Sequence, residues 1–372
     1  MESVVKKRIL VSVTSDLVSD NRVHKVCTAL HELGFDVLLT GRKIPGGPDL
    51  SPRKYKTKRF KLPFNKGFFF YACFNLRLLG LLLVNKFDVL LANDLDTLPA
   101  NFLIAKIKNK PLVYDSHEYF TEVPELVNRK FVKHIWEFME RIMLPHIKYA
   151  YTVCDSIADI YSARYRTSFR VVRNISSYKY APPEDVETVS GSEKIILYQG
   201  ALNEGRGLKQ AVMAMKFIEG ARLIIAGDGT IKNELIKLID NHNLQQKVQL
   251  TGRLSIEELA RLTPRASAGL SIEEDLAMNY HFALPNKLFD YIQAHVPVIV
   301  TNLPEMAAVV KHYQIGLVIS SHEPTELAEA IRTALFNTKL REEWRKNLKT
   351  ATEELTWENE KKVLYDIFKA FL

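Results

Sequence analysis

The stretch from Gly269 to Thr301, GLSIEEDLAMNYHFALPNKLFDYIQAHVPVIVT, gathers the residue types that a phosphorylated ligand needs. An apolar strand (Ala268, Leu270, Ile272) runs into a loop of clustered acids. Leu284-Pro285-Asn286-Lys287 then opens a helix, and Val296 to Val300 forms a second apolar strand. Proline suits a helix's first turn because its missing N–H is one the turn leaves unused. The free N–H groups at that end, the helix dipole and Lys287 beside them make a site for phosphate. One turn on, Asp290 can accept hydrogen bonds from ribose hydroxyls. The pattern reads as a nucleotide-diphosphate pocket.

A second loop, Gly200-Ala201-Leu202-Asn203-Glu204-Gly205-Arg206-Gly207, follows the strand Ile195 to Tyr198 and precedes a helix. Glycines at Gly200, Gly205 and Gly207 let backbone N–H groups approach a phosphate, and Arg206 can fork onto its oxygens. A tight connection is the plain alternative. Arg206 and Lys287 together would offset the charge that builds on a departing diphosphate. Ala226-Gly227-Asp228-Gly229 ends another strand, where Asp228 either meets the nucleotide or caps the next helix. Thr251-Gly252-Arg253 reads most simply as a turn.

In the first half, Tyr114-Asp115-Ser116-His117-Glu118 leaves a strand with His117 flanked by acids. That position suits a residue facing a cleft, and equally one that stabilises its own loop. Asn93-Asp94-Leu95-Asp96-Thr97 has the same strand-end placement and offers polar groups to an acceptor. In Ser15 to Arg22, Asp20 reads as a plain helix N-cap, and Arg22 as a solvated charge or a phosphate ligand.

These residues need a frame of strands alternating with helices. Strands are expected at Ile9–Thr14, Phe35–Thr40, Asp88–Ala92, Leu112–Asp115 and Tyr151–Cys154, with helices at Asp20–Leu33 and Val132–Met143. After a Pro- and Ser-rich linker over 176–193 the alternation restarts. Such alternation indicates parallel sheets covered by helices. The expected organisation is an α/β fold of two Rossmann-like, doubly wound domains: 1–180, 190–355, and a terminal amphipathic segment, 356–372, packing towards the first. Open parallel sheets bind ligands outside the carboxyl ends of their strands. Two facing domains therefore suit a two-substrate enzyme.

A chain of 372 residues accommodates two such cores. Cys27, Cys73 and Cys154 are widely spaced in apolar settings, which favours free thiols over a disulfide framework or zinc site. Met1 to Arg8 is charged and the apolar run after it is short, so no leader peptide is expected. Charge is uneven. Residues 50–87 hold no acid but nine basic residues, from Arg53 to Lys86, which exceeds the whole chain's net charge of +8. Beside them runs Phe68-Phe69-Phe70-Tyr71-Ala72-Cys73, then Leu78 to Val84, interrupted by Asn75 and Arg77 and so a poor membrane-spanning helix. Two readings of 53–84 stand: a surface that meets anionic lipid headgroups, and a buried helix preceded by a solvated loop. No nucleic-acid-binding motif accompanies the charge.

Taken together the chain resembles the retaining, nucleotide-sugar-dependent glycosyltransferases of group-1 type, with the GT-B fold. GALNEGRG resembles their phosphate loop, IIAGDG a glycine-rich strand end, VQLTGRLSIEEL the segment after it, and LPNKLFDYIQAHVPVIV their nucleotide helix and following strand. The resemblance implies that Arg206 and Lys287 hold the diphosphate and Asp290 the ribose. Gly200, Gly205, Gly207, Gly227, Asp228, Asn286 and Leu288 would line the nucleotide sugar, and His117 would lie near the transferred sugar. Asp94, Glu118, Glu274 and Asn279 are candidates for sugar or acceptor contact. Three departures stand out. Ala201 replaces the first basic residue of the phosphate loop, Phe282 replaces the first of two glutamates eight positions apart, and SDLVSDN lacks the usual glycine pair.

The implied activity is transfer of a hexose from a nucleoside-diphosphate sugar to a lipid-linked or glycan acceptor, in surface polysaccharide or glycolipid assembly. No cofactor or obligatory metal and no nucleic acid partner are expected. The expected location is cytoplasmic, peripheral at the inner membrane face. Two rivals remain: a nucleotide-sugar epimerase of the same fold, and a degenerate, non-catalytic partner protein.

Overall fold

The computed structural model describes residues 6–123, 126, 129–176, 178, 180 and 194–372; most of the linker expected over 176–193 lies outside them. The chain divides into two compact units, Met1–Arg173 with Glu358–Leu372, and Asn174–Trp357. Each carries its own parallel sheet with intervening helices, the doubly wound α/β architecture that the alternation predicts.

The first unit's strands are β1 (Arg8–Ser12), β2 (Asp36–Lys43), β3 (Lys56–Lys61), β4 (Val89–Asn93), β5 (Leu112–Ser116), β6 (Tyr149–Thr152) and β7 (Phe169–Val171). They lie in the order β3-β2-β1-β4-β5-β6-β7. Ile9, Leu10 and Val11 of β1 are all fully buried, because a sheet covered on both faces needs apolar residues without alternation. The unit's helices are α1 (Asn21–Glu32), α2 (Gly67–Val84), α3 (Leu98–Lys108), α4 (Lys130–Met143) and α5 (Asp155–Tyr165). Asp20 caps α1 by accepting the Val23 N–H at 3.1 Å. The strand order reverses between β1 and β4, so the carboxyl ends of these strands flank a crevice. The loops carrying Asp94 and His117 leave the sheet at that end.

Three sequence expectations change here. The basic run KTKRFK, read as loop, forms edge strand β3, paired with β2 from Leu38↔Lys56 to Lys43↔Lys61. Only its Phe60 is buried, and lysines along a sheet edge discourage pairing with other chains. The apolar run read as separate pieces is the single helix α2, whose 18 residues have the length and composition of a membrane-crossing helix. Asn75 does not interrupt it, because its amide donates to the carbonyls of Tyr71 (3.0 Å) and Asp96 (2.8 Å). Strand β6 begins at Tyr149 and ends at Thr152, which leaves Cys154 as the residue before α5.

The second unit has β8 (Lys194–Gln199), β9 (Ala221–Ala226), β10 (Val248–Gly252), β11 (Ala268–Ser271), β12 (Val298–Thr301) and β13 (Gly316–Ile319), ordered β10-β9-β8-β11-β12-β13. Its helices are α6 (Leu208–Ala214), α7 (Lys232–Asn241), α8 (Ile256–Leu262), α9 (Met278–His281), α10 (Asn286–Gln293), α11 (Pro304–Tyr313), α12 (Pro324–Phe336) and α13 (Thr338–Glu354). The reversal falls between β8 and β11. Tyr291 of α10, fully buried, pins that point: its hydroxyl accepts the Gln199 N–H (3.1 Å) and donates to the Leu197 carbonyl (3.0 Å).

A last helix, α14 (Trp357–Phe368), belongs to the first unit from Glu358 onwards. Phe368 meets Phe35 edge-on at 6.2 Å, Lys361 pairs with Glu32 at 3.1 Å, and Glu360 accepts the Arg173 N–H at 2.6 Å.

Candidate functional site

The loops that follow β8 and β11 meet at the second unit's reversal point. Glu273, two residues beyond β11 and fully buried, receives both expected cations: Arg206 at 3.1 Å and Lys287 at 2.7 Å. Ser271 holds the other carboxylate oxygen at 2.9 Å. Burial alone would raise the Glu273 pKa, but Lys287 and Arg206 hold it below its ordinary value. The lysine ammonium also sits 4.0 Å from the centre of the Tyr198 ring, and the guanidinium lies over Tyr280. Lys287 Nζ is buried in its 2.7 Å ion pair with Glu273, whereas Arg206 Nε is buried without a hydrogen-bond acceptor. Unmatched buried donors are uncommon and call for an explanation; an anionic ligand supplies one.

Backbone packing shapes this cluster. Gly207 has φ +67°, and a Cβ there would lie 2.3 Å from the Ile272 carbonyl oxygen, so the two loops touch only because the residue is glycine. Its N–H donates to Glu274 at 3.3 Å, and the Glu274 N–H returns to the Gly205 carbonyl at 2.9 Å. Gly227 is equally constrained: a Cβ would stand 1.8 Å from the Gly200 carbonyl oxygen. The β8 and β9 loops are thereby brought edge to edge.

Asp290 lies one turn after Lys287 on α10 and accepts the Gln199 side-chain amide at 2.9 Å. Asn286 is exposed at the start of α10, and Asn279 is half-exposed on α9. Two expectations are corrected. Leu288 places its side chain in the core, fully buried, rather than in the site, and its N–H donates to the Pro285 carbonyl at 3.1 Å. Asp228 does not cap the following helix, which starts after Ile231 with no side-chain cap. Its carboxylate accepts the Gly229 N–H (2.9 Å) and faces Lys232 (3.5 Å).

In the first unit His117 is held on both edges. Nδ1 lies 3.2 Å from Asp94 and Nε2 3.2 Å from Asp115, while the His117 N–H donates to Asp94 at 2.8 Å. Behind it, Arg22 forks onto Asp115 at 2.7 and 3.1 Å and donates to the Val172 carbonyl at 2.9 Å. Arg22 is thus neither solvated nor available to phosphate; it is a buried buttress, 4% exposed. Burial works against a charged imidazole, but Asp94 and Asp115 outweigh it and raise the His117 pKa to about 9. Burial likewise opposes ionisation of Asp115, yet Arg22 and His117 bring it down to about 2. Asp94 adopts φ +60°, the left-handed backbone that non-glycine residues seldom take. Glu118 gives its backbone carbonyl to the Ser116 hydroxyl at 2.8 Å.

Residues 184–351 match the family model of the glycosyl transferases group 1, and residues 20–175 that of glycosyltransferase family 4. The chain is a glycosyltransferase whose second half is of the group 1 type. Lipopolysaccharide core biosynthesis glycosyltransferase LpsD of Rhizobium meliloti is 24% identical over 192 residues, 50% of this chain and 53% of that protein. The aligned region spans about half the length of the curated relatives that this chain matches. In fold it is similar to sucrose-phosphate synthase from Thermosynechococcus elongatus (TM-score 0.79, 17% identity, 98% of this chain and 99% of the other). It is also similar to Anabaena Alr3699/HepE in complex with UDP-glucose (TM-score 0.75, 14% identity, 98% and 99%). These are GT-B glycosyltransferases, and the two parallel-sheet units follow that plan.

For this glycosyltransferase, reasoning from sequence missed the central part of Glu273 and the buttressing by Arg22 and Asp115. An acid directly after an apolar strand, lying between an arginine-bearing loop and a lysine-bearing one, is a usable signal for Glu273. Arg22 and Asp115 are 93 positions apart, and no local pattern joins them.

Proposed function

We propose that this glycosyltransferase moves a hexose from a nucleoside-diphosphate sugar to a glycan or lipid-linked acceptor, with retention at the anomeric carbon, in cell-surface polysaccharide or glycolipid assembly. The observation that carries the reading is the convergence of Arg206 and Lys287 on one buried carboxylate at the β8/β11 reversal, with the Arg206 Nε donor left unmatched. A diphosphate would accept from that donor, and the two cations would stabilise the negative charge that grows on it as the sugar–phosphate bond breaks. Asp290, on the same helix face one turn away, would take the ribose hydroxyls. The UDP-glucose complex of a protein with this fold favours a UDP-hexose donor, and the likeness to LpsD favours a saccharide acceptor.

His117 enters this scheme as a fixed positive charge. A ring bonded on both nitrogens, and protonated up to about pH 9, is a poor base near neutrality, so proton transfer falls elsewhere. The test is a panel of nucleotide sugars by calorimetry, run with Lys287→Ala and Arg206→Ala. One donor should bind the parent and lose about tenfold or more in each variant, as expected for a charge-assisted hydrogen bond. Turnover with that donor, followed by nuclear magnetic resonance of the product anomer, tests transfer and retention. Binding without transfer or hydrolysis would favour a non-catalytic partner, and no binding at all would refute the donor pocket.

A further inference from the structure

The right-handed crossover rule places α1 on one face of the first unit's sheet and α2, α3 and α4 together on the other. Side chains tie these three into one layer. Tyr71 of α2 meets Trp136 of α4 edge-on at 5.4 Å, and Lys108 of α3 donates to the Leu82 and Leu83 carbonyls of α2 at 2.8 Å. The inner surface of α2 is ordinary core, with Phe70, Phe74, Leu78, Leu81 and Leu82 buried. Its outer surface is also apolar. Among the described residues twenty large hydrophobic side chains are exposed, and five of them lie on α2, two on α3 and four on α4, so this one layer holds more than half. Phe68, Phe69, Phe131 and Phe138 are 72, 62, 79 and 62% exposed. Phe69 meets Phe64 at a tilt and Phe68 edge-on, with ring centres 5.3 and 5.6 Å apart, while all three remain in solvent. Contiguous apolar surface of this kind marks an interaction site.

Charge identifies the occupant. Arg77, Lys106, Lys130 and Arg141 are exposed on the same three helices, whereas Glu137 is half-buried and Glu140 is buried against Tyr165, so no exposed acid faces outwards. We infer that the outer surface of α2, α3 and α4 docks on an anionic lipid bilayer, with the phenylalanines in the headgroup–acyl boundary and the four cations on phosphates. A second copy of the chain fits poorly, because a two-fold contact would set these cations against themselves. The helix α2 lies on the membrane rather than across it, since one side of it is part of the unit's core. The inference deepens the lipid-linked acceptor reading given above, and it extends the surface from 53–84 to α4.

The test is flotation of the full chain with vesicles of phosphatidylcholine containing a minority of phosphatidylserine, against phosphatidylcholine alone, without donor or acceptor. The parent should float with the anionic vesicles only. Phe68→Ser/Phe69→Ser and Phe138→Asp/Ile142→Asp should each weaken partition at least tenfold, and Arg77→Glu/Lys106→Glu by roughly fivefold or more per charge. Unchanged circular dichroism and melting temperature would show that the variants are folded. Parent-like flotation of the α4 pair would overturn the three-helix surface. Resistance of the parent to carbonate extraction would overturn docking in favour of spanning. A dimer dissociated by the same changes, with no flotation, would assign the surface to a second copy. Lipid partition is read without nucleotide, so its failure leaves the donor reading standing, and a failed donor panel leaves this surface standing.

Discussion

Replacing Glu273 with glutamine should make the unliganded protein less stable and the diphosphate complex relatively more so. Glu273 is fully buried, Lys287 is 7% exposed and Arg206 23% exposed, so the carboxylate is the nearest counter-charge for two cations withdrawn from water. Breaking a buried ion pair costs roughly 3–5 kcal/mol. Glutamine keeps one oxygen towards the cations, which places the expected loss at the lower end, about 3 kcal/mol. For a domain of this size that corresponds to a fall in melting temperature of about 6–12 °C. On the proposed donor reading, bound UDP would reverse the balance. Its phosphates supply the missing negative charge, and the repulsion between them and Glu273, about 3 kcal/mol at roughly 5 Å in an effective dielectric of 20, is gone. The variant should therefore bind UDP more tightly than the parent, by about tenfold once part of that term is lost to poorer positioning of the two cations. Differential scanning fluorimetry with and without saturating UDP, and calorimetry for the affinity, measure both quantities. An unchanged melting temperature, or a UDP affinity that falls together with stability, would refute the counter-charge argument.

Three further outcomes follow from the same geometry. His117, raised from 6.5 to about 9 by Asp94 and Asp115, contributes stability that is complete below about pH 6.5 and lost as pH rises through about 9. The parent's melting temperature should therefore fall relative to His117→Gln across that window, and the imidazole resonance should titrate near pH 9. Arg22→Ala should cost roughly 3–5 kcal/mol in urea denaturation, and Arg22→Lys should recover little of it, because an ammonium cannot reproduce the fork on Asp115. Gly207→Ala must adopt φ +67° against the Ile272 carbonyl, so a loss of about 1–3 kcal/mol is expected together with weakened UDP binding in calorimetry; parent-like stability would show that the two loops can part.

The legibility of this chain divides by the range of the interactions involved. The sheets were readable because β1, β4, β8 and β9 are short, continuously apolar runs punctuated by amphipathic helices, a signal that each segment carries on its own. Arg206 and Lys287 were readable for the same reason, each lying in a short motif with a local physical logic. Strand β3 was not, because KTKRFK has one buried residue and owes its pairing to β2 rather than to its own composition. Nor was the state of His117 readable. Its surroundings suggested a cleft residue, but its charge depends on Asp94, 23 positions away, and its anchoring on an arginine 93 positions from Asp115. The same distinction applies to Glu273. Its place after a strand was visible, whereas its part as shared partner of two cations follows only once Gly207 lets the β8 and β11 loops close on each other. Where a site is assembled by contacts between loops, the sequence names the participants, and the fold determines which of them hold the charge and which use it.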